Sequence, residues 1–440
     1  MVKLKRLKIN QYRNVRPGTE LRFDDGVNLV LGKNGAGKTT LLALLSCVAG
    51  NDFSALESEA FELEYETSGG DFTARVHINS SPRETPTDVQ ESSSRETLHA
   101  SMTPVYRYEV VISTTSSSDT CAIRATQDGT TIRSGSENRQ LSPSPPFQSG
   151  FFVGLLNQLD DASPFLPAVR DLEVPLAARF DESLDTFLAM TGRPSVTASA
   201  SSPPTTHLTV TRRPPDGAVY TRLHEFAPTE VAALVPVAHE LPGGEVRVSV
   251  DGLTSPPDDA RTLKFLINAA AVMGFNAAAL KPEFKAVRRL GATDLQLFDV
   301  QGFSFNFTGP DGTTIHHDLL SYGQKRLLAF YYYLASTEHV VIADELVNGL
   351  HHRWIEACMT AIGDRQAFLT SQNPLLFEYV PFESVEQVEA AFITCKTKIV
   401  DGAEQLVWQN MPREDAISFF ESYKADIESV GDILITRGLW

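Results

Sequence analysis

Cysteine is scarce in this chain, and no stretch of it stays apolar for long. Its four cysteines, Cys47, Cys121, Cys358 and Cys395, show no paired metal spacing and fit a reducing compartment with buried thiols. The longest obvious apolar run, residues 41–50, is far too short to span a bilayer. The N-terminus also lacks the apolar segment of a signal peptide. We therefore expect a cytoplasmic protein without a membrane partner.

Sustained heptads, internal repeats and compact metal-ligand or nuclease clusters are absent from the sequence too. The lack of heptads excludes a long coiled coil, and the lack of a cluster argues against a nuclease. A formal net charge of −17 argues against a uniformly basic nucleic-acid binder, but it does not argue against a local basic groove.

One basic stripe is the best local candidate for contact with nucleic acid. If Pro282 sits in the first turn of a helix, four cations share one helical face: Lys281, Lys285, Arg288 and Arg289. A solvated helix surface is the favoured alternative, because such stripes are often only solubilising. Arg212-Arg213 lies in a loop-like stretch and is weaker evidence for a nucleic-acid contact.

The most informative motif is Gly32-Lys33-Asn34-Gly35-Ala36-Gly37-Lys38-Thr39, which matches the phosphate-binding loop Gly-x4-Gly-Lys-[Ser/Thr]. The apolar run 27–31 predicts a buried strand before it, and residues 39–45 predict a helix after it. This order aims backbone N–H groups and a helix N-terminus at one point, where a triphosphate can sit. The motif predicts that Lys38 reaches the phosphates and that Thr39 holds Mg²⁺.

A second cluster lies far along the chain. Residues 320–326, Leu-Ser-Tyr-Gly-Gln-Lys-Arg, open an amphipathic helix that Ser321 can cap. The pattern of residues 339–345 predicts a buried strand that ends in two carboxylates. Asp344 would lie beside the Mg²⁺, and Glu345 would polarise the attacking water. A further apolar strand, 367–370, leads into the polar turn 371–374, Ser-Gln-Asn-Pro.

This order of motifs resembles the ABC-type ATPases, and within them the soluble branch of SMC-type, RecF-type and OLD-like ATPases. The resemblance covers the stretch to Gly50 and the part from Leu320 onward. It implies an α/β P-loop NTPase fold with an ABC-type ATPase head, to which the patterning between the motif clusters adds an antiparallel β subdomain and a mainly helical insertion, with no long coiled coil. It also implies ATP and Mg²⁺ as ligands. The implied nucleotide contacts are Arg13, Asn14, Gly32, Asn34, Gly35, Gly37, Lys38, Thr39 and Thr40, though a plain strand-to-loop turn explains Arg13 and Asn14 equally well.

In such ATPases the signature helix caps the nucleotide of a second copy. The resemblance therefore implies that Ser321, Gly323 and Gln324 act in trans, in a dimer that ATP holds closed. His351 stands at the D-loop position, where OLD-like members often have His. Gln372 stands at the position of the switch His, and its amide cannot take up positive charge, so we expect slow turnover. Gln148 and Gln158 are both candidates for the Q-loop glutamine.

Between the motif clusters the patterning changes from strands to helices and back. Alternation over 59–114 predicts antiparallel strands, helical patterning runs through 147–190 and 260–290, and strands return at 295–307. We predict an N-terminal half of the ATPase head over 1–146, a mainly helical insertion over 147–294, and a C-terminal half with signature, Walker B and switch over 295–440.

The leading functional hypothesis is an ATPase sensor or switch that controls a separately encoded effector, as in the two-component anti-phage systems of the PARIS and Septu types that the architecture resembles. The tail from 375 to 440 is too short for the nuclease domain of OLD-type nucleases. One alternative is a DNA-repair or recombination clamp of the RecF kind. Another is an ATP-dependent assembly scaffold with vestigial hydrolysis, and a transporter subunit fits least.

Overall fold

Three β-sheets organise the part of the chain that can be described, and its strands and helices are numbered in chain order. The computed structural model describes residues 1–81, 105–135, 137–141, 151–156, 159, 163–172, 179–191, 208–213, 218–223, 229–250, 263–290, 295–337, 339–400, 402–425 and 429–436.

A five-stranded sheet carries the predicted phosphate-binding loop near its centre. Its strands are β3 (Val27–Leu31), β16 (Val340–Ala343), β17 (Gln366–Leu369), β18 (Phe392–Val400) and β19 (Ala403–Asn410). They lie in the order β16-β17-β3-β18-β19, parallel throughout except for the β18–β19 hairpin. Because parallel neighbours end at the same edge, the loops after β3, β16 and β17 meet there.

Strands β3, β16 and β17 of this sheet are buried on both faces, which explains their nearly continuous apolar sequences. In β3, Leu29 and Leu31 belong to one hydrophobic core and Val30 belongs to the other, because successive side chains of a strand point to opposite faces. The first helix, α1 (Lys38–Gly50), joins the core that contains Val30, whereas α7 (Tyr322–Ala335) joins the other.

An eight-stranded antiparallel sheet forms the β subdomain. Its order is β2-β1-β4-β5-β6-β7-β8-β9, and its alternating burial confirms the antiparallel strands predicted over 59–114. The strands are β1 (Lys3–Tyr12), β2 (Thr19–Arg22), β4 (Phe61–Ser68), β5 (Phe72–Ser81), β6 (Val105–Thr114), β7 (Thr120–Thr126), β8 (Gly129–Ser134) and β9 (Glu137–Leu141).

A third sheet is antiparallel in the order β11-β10-β14-β13-β12, with β15 paired to β14. Its strands are β10 (Leu208–Arg213), β11 (Ala218–Leu223), β12 (Val246–Ser249), β13 (Ala277–Leu290), β14 (Leu295–Thr308) and β15 (Thr314–His316). The segment 147–294, predicted to be a mainly helical insertion, therefore also contributes strands β10–β13 to this sheet. The predicted boundary at 294/295 falls between β13 and β14, which pair with each other.

The basic stripe lies on a strand, so its helical prediction is wrong. Lys281, Lys285, Arg288 and Arg289 all belong to β13, and the helix expected over 260–290 is limited to α6 (Lys264–Met273). The register of β13 shifts between 283 and 286, so its exposed cations at 281, 285 and 288 imitate helical spacing. Arg212-Arg213, predicted in a loop, closes strand β10.

The remaining helices are short and mostly cover the sheets. They are α2 (Phe151–Leu156), α3 (Leu166–Leu172), α4 (Phe180–Thr191), α5 (Thr229–Glu240), α8 (His352–Ile362), α9 (Val385–Ala391), α10 (Arg413–Ala425) and α11 (Val430–Thr436). Within the described ranges, the longest helix is α7 with 14 residues, so no long coiled coil occurs there. No helix in those ranges is long and apolar enough to cross a membrane. The predicted α/β class, with an antiparallel β subdomain, is confirmed.

Candidate functional site

The loop between β3 and α1 has the backbone that its glycines predict. Gly37 caps α1 in the left-handed region, with φ of +83°, and a Cβ there would lie 2.8 Å from Leu406 Cδ1. A Cβ on Gly32 would lie 2.4 Å from the carbonyl oxygen of Cys395. Both positions therefore require glycine, because the loop packs directly on the β18–β19 hairpin.

Lys38 opens α1, and its ammonium folds back over the loop. Its Nζ donates to the carbonyl oxygen of Gly32 at 2.7 Å, and the side chain is half-buried. Thr39 and Thr40 follow in the first turn of the helix. Lys38 lines a cleft of about 320 Å³ together with Gly32, Asn34 and Gln372. The loop after β17 thus faces the loop after β3, as the strand order requires.

The ends of β16 and β17 bring the predicted carboxylates to α1. Asp344 Oδ2 accepts a 2.5 Å hydrogen bond from the Thr39 hydroxyl, and Asp344 Oδ1 accepts one from the Thr370 hydroxyl. The Glu345 N–H donates to Thr370 Oγ1 at 2.8 Å. The Gln372 N–H donates to Glu345 Oε2 at 3.0 Å. Residues from three separate stretches of sequence therefore form one connected group.

The turn after β16 has a strained backbone, and a buried arginine donates hydrogen bonds to its carbonyl oxygens. Glu345 has φ of +51°, which is uncommon for a residue with a side chain. Arg326 of α7 donates to the carbonyl oxygens of Glu345 at 2.5 Å and of Leu346 at 3.0 Å, while its guanidinium lies 5.1 Å from the centre of the Phe180 ring. Arg326 is only 6% exposed, so these contacts are shielded from water.

The signature residues form a second group. Ser321 Oγ accepts from the Gln324 N–H at 3.3 Å, and Gln324 Oε1 accepts from the Ser321 N–H at 2.9 Å, a capping box at the start of α7. A Cβ on Gly323 would lie 2.7 Å from the carbonyl oxygen of Gly349, in the turn that ends at His351, the N-cap of α8. The start of α7 and this turn are thus in direct contact.

The surface around the signature exposes two large apolar side chains. Ser321 is exposed, and beside it Leu319 is 75% and Tyr322 62% exposed. We call these three residues the signature surface. Large apolar side chains exposed together mark contact sites more often than scattered ones do.

Arg13 and Asn14 directly follow β1, and the hydrogen bonds of their side chains are to residues outside the phosphate-binding loop. Arg13 makes a bidentate pair with Glu59, at 2.7 and 2.5 Å, and this pairing raises the pKa of its guanidinium. Asn14 Nδ2 donates to the carbonyl oxygen of Glu404 in β19 at 3.3 Å. The Q-loop candidates Gln148 and Gln158 lie outside the described residues.

The donor set fits a magnesium nucleotide. Thr39 Oγ1 and Asp344 Oδ2 are adjacent oxygens at the N-terminus of α1, beside a cleft that contains a lysine. Mg²⁺ prefers oxygen ligands and is commonly bound through one or two protein groups together with substrate phosphates. Anions are stabilised at helix N-termini.

A cluster of metal-type side chains just before α7 includes one histidine whose ring nitrogens are both engaged within the fold. His316, His317 and Asp318 lie close together. However, His317 Nδ1 accepts from the Phe305 N–H at 3.0 Å, and its Nε2 lies 2.7 Å from the carbonyl oxygen of Thr191, to which it donates. Both nitrogens of this buried ring are therefore used within the fold.

Sequence reasoning missed three residues of the site. Thr370 and Arg326 bond to the Asp344–Glu345 turn, and Arg179 donates to the carbonyl oxygen of Thr39 at 3.3 Å. Thr370 could have been noticed as a polar residue that ends an apolar strand. Arg326 and Arg179 carry no comparable sequence signal, because their roles depend on helices that approach from other parts of the chain.

Comparison with known proteins finds a family model described as "AAA domain, putative AbiEii toxin, Type IV TA system", which matches residues 27–378. A curated relative, the DNA replication and repair protein RecF of Psychromonas ingrahamii, is 38% identical over 97 residues. That segment covers 22% of this chain and 26% of the relative, so the match spans about a quarter of the relative's length.

Solved structures with similarity along most of the chain include SMC heads and RecF. The SMC head bound to the C-terminal winged-helix domain of ScpA is 10% identical, covers 93% of this chain and 98% of its own, and has a TM-score of 0.38. The SMC head domain from Thermotoga maritima is 11% identical, with coverages of 93% and 99% and a TM-score of 0.33. The recombination mediator protein RecF is 12% identical, with coverages of 93% and 98% and a TM-score of 0.30.

Proposed function

The chain belongs to the family of AAA domains described as putative AbiEii toxin, Type IV TA system, and we propose that it binds and hydrolyses ATP with Mg²⁺ as an ABC-type ATPase. The observation that carries this proposal is the connected group of Thr39, Asp344, Glu345 and Gln372 beside the loop of Lys38. A glycine-rich turn before a helix would explain the loop by itself. It would not explain why two carboxylates and the turn that contains Gln372 lie beside that loop.

Each residue has a distinct proposed task. Thr39 Oγ1 and Asp344 would hold Mg²⁺, which neutralises developing phosphate charge when it is bound. Lys38 would exchange its bonds to the loop carbonyls for bonds to phosphate oxygens. Glu345 is the proposed general base, since its carboxylate lies next to the metal carboxylate and can accept a proton from water. Gln372 would orient that water or a phosphate oxygen through its amide.

Two variants test this assignment. Lys38→Ala is expected to lose most of its ATP affinity in an isothermal titration while keeping the circular-dichroism spectrum of the wild type. Glu345→Gln is expected to bind ATP normally but to stall hydrolysis, because an amide cannot serve as the base. Unchanged affinity in a folded Lys38→Ala chain would remove the phosphate-loop assignment, and hydrolysis at the wild-type rate by Glu345→Gln would remove the base.

We propose further that two chains close around two ATP molecules, with the signature surface of one chain over the nucleotide of the other. The exposure of Leu319, Ser321 and Tyr322 supports this arrangement, because a contact with a second copy would bury their apolar atoms. The capping box uses the N–H groups of Ser321 and Gln324 but not those of Tyr322 and Gly323, which are the groups proposed to meet the partner's phosphate.

A mixing experiment separates action in cis from action in trans. Ser321→Arg should still bind ATP in its own loop but obstruct closure, so each chain alone is inactive. Mixed with Lys38→Ala, it should regain some hydrolysis, because one composite site then combines an intact loop with an intact signature. A Ser321→Arg chain that hydrolyses ATP normally by itself would rule out the proposed sandwich.

In the cell we propose that this ATPase is a sensor or switch for a separately encoded effector in anti-phage defence. The description of the family, which refers to an AbiEii toxin and a toxin–antitoxin system, supports a role of this kind. A neighbouring nuclease or toxin gene whose product copurifies with the chain in an ATP-dependent manner would support the role. An effector that acts equally well with the Lys38→Ala chain would contradict it.

A DNA repair or recombination clamp is the second candidate, favoured by the 97-residue similarity to a DNA replication and repair protein RecF. This alternative predicts saturable DNA binding by the isolated chain that weakens as salt rises. The scaffold alternative predicts ATP-dependent assembly without measurable turnover, so one hydrolysis assay distinguishes it from the other two.

A further inference from the structure

One fully buried hydroxyl contacts the turn that carries both proposed acidic residues. Thr370 directly follows β17 and is 0% exposed. Its hydroxyl donates to Asp344 Oδ1, its Oγ1 accepts from the Glu345 N–H at 2.8 Å, and its own N–H donates to the carbonyl oxygen of Ala343 at 3.1 Å. Thr370 therefore touches three consecutive residues at the end of β16.

The hydrogen-bond chemistry of this hydroxyl leaves little freedom. A threonine hydroxyl has one proton to donate and lone pairs with which to accept. Here the proton is directed to Asp344 and a lone pair to the Glu345 N–H, in a position that excludes water. Buried hydrogen bonds of this kind fix geometry firmly, because breaking one leaves a partner unsatisfied.

The consequence for Asp344 is a fixed carboxylate. Its Oδ1 accepts from Thr370 and its Oδ2 from Thr39, so the orientation of the carboxylate is set by two hydroxyls, one in the first turn of α1 and one directly after β17. The consequence for Glu345 is a fixed backbone. Its φ of +51° is disfavoured, and the bond from its N–H to Thr370 helps to keep it there.

We propose that Thr370 is a positioning residue for ATP hydrolysis, which sets the metal carboxylate of Asp344 and the base carboxylate of Glu345 relative to each other. This inference rests on the proposed ATPase function and adds to it a residue that does not touch the nucleotide. It predicts a defect in turnover and in the use of Mg²⁺, and little defect in the affinity of the phosphate-binding loop for ATP.

Two pairs of variants isolate the hydroxyl. Thr370→Val keeps the shape of the native side chain but has a methyl group in place of the hydroxyl. The Ser and Ala side chains at position 370 differ from each other by the hydroxyl oxygen only. We expect kcat to fall about tenfold in Thr370→Val and Thr370→Ala, because both hydrogen bonds of the hydroxyl are lost while the bond from Thr39 to Asp344 remains, with KM for ATP within about twofold of wild type. Thr370→Ser should recover most of kcat. Thermal melting of all variants identifies any that fails to fold, and the Ser/Ala pair decides the matter if the Val variant does not fold.

A second readout is independent of turnover. The Mg²⁺ concentration that half-saturates binding of ATP in an isothermal titration should rise severalfold in the variants without the hydroxyl and return in Thr370→Ser. If the wild type binds MgATP but does not hydrolyse it, the proposed catalytic function fails while this titration still tests the positioning role. Equal kcat and equal Mg²⁺ dependence in folded Thr370→Val and wild type, or a Ser variant as defective as the Ala variant, would overturn the inference.

Discussion

Replacing Arg326 by Met removes the two donors that hold the turn after β16 and keeps a side chain of similar length. The guanidinium donates to the carbonyl oxygens of Glu345 and Leu346, at 2.5 and 3.0 Å, from a position only 6% exposed. Without it, both carbonyl groups lose a donor in a place that water reaches poorly.

The magnitude follows from the two carbonyl groups. A buried polar group left unsatisfied costs about 1–3 kcal/mol, so two of them cost about 2–6 kcal/mol. Contact of the Met side chain with the Phe180 ring offsets part of this cost. We therefore expect the free energy of unfolding to fall by about 3 kcal/mol. Because the same carbonyl groups belong to the turn of the proposed base, hydrolysis should slow more than ATP binding weakens.

Urea unfolding followed by circular dichroism measures this change. The matched control is Lys325→Met, which removes a charge from the neighbouring, half-buried position of the same helix and should change the unfolding free energy by less than about 0.5 kcal/mol. If Arg326→Met is as stable as Lys325→Met and hydrolyses ATP at the same rate, then the turn does not depend on Arg326 and the reasoning is wrong.

Three further predictions concern the loop, the thiols and alkaline pH. Gly37→Ala should weaken ATP binding by about tenfold or more, because position 37 has φ of +83° and a Cβ there would lie 2.8 Å from the Leu406 side chain. Gly274→Ala is the control, since position 274 has φ of +84° but no atom near its Cβ, and it should leave ATP affinity unchanged. Equal effects of the two variants in ATP titrations would contradict this prediction. Burial raises the pKa of the Cys47 and Cys395 thiols to about 12, so neither should react with Ellman's reagent at pH 8 until the chain unfolds, and fast labelling of the native chain would refute that. These thiols have a pKa of about 8.5 when unfolded, so their contribution to stability is complete below that pH and is lost as pH rises towards 12. Urea titrations should therefore give a lower free energy of unfolding at pH 10.5 than at pH 8. An equal or higher value at pH 10.5 would refute this pH dependence.

Local sequence patterns predicted the elements that flank the site well. The apolar run before the phosphate-binding loop is β3, the helix after it is α1, and the runs before Asp344 and after it are β16 and β17. Such short buried strands and a glycine-rich turn are determined by nearby residues, so a single sequence contains the information.

The relations between these elements could not be predicted. Sequence does not state that β17 lies between β3 and β16, and this order alone brings Thr370 against Asp344. Burial of Arg326 depends likewise on the packing of α7 under the turn. The wrong prediction of a helix over β13 has a local cause. A shift in strand register leaves the cations at 281, 285 and 288 all exposed, and their separations of four and three residues match the spacing of a helix.

Sedimentation velocity on the Glu345→Gln chain tests the central claim most directly, since a stalled ATPase should accumulate the closed state. We expect the mass of two chains with ATP and Mg²⁺, and the mass of one chain with ADP. The double variant Glu345→Gln/Ser321→Arg should bind ATP in a titration and remain a single chain. A single-chain mass for Glu345→Gln at saturating ATP, or a dimer that forms equally well with Ser321→Arg, would contradict an ATP-linked pair built on the signature surface.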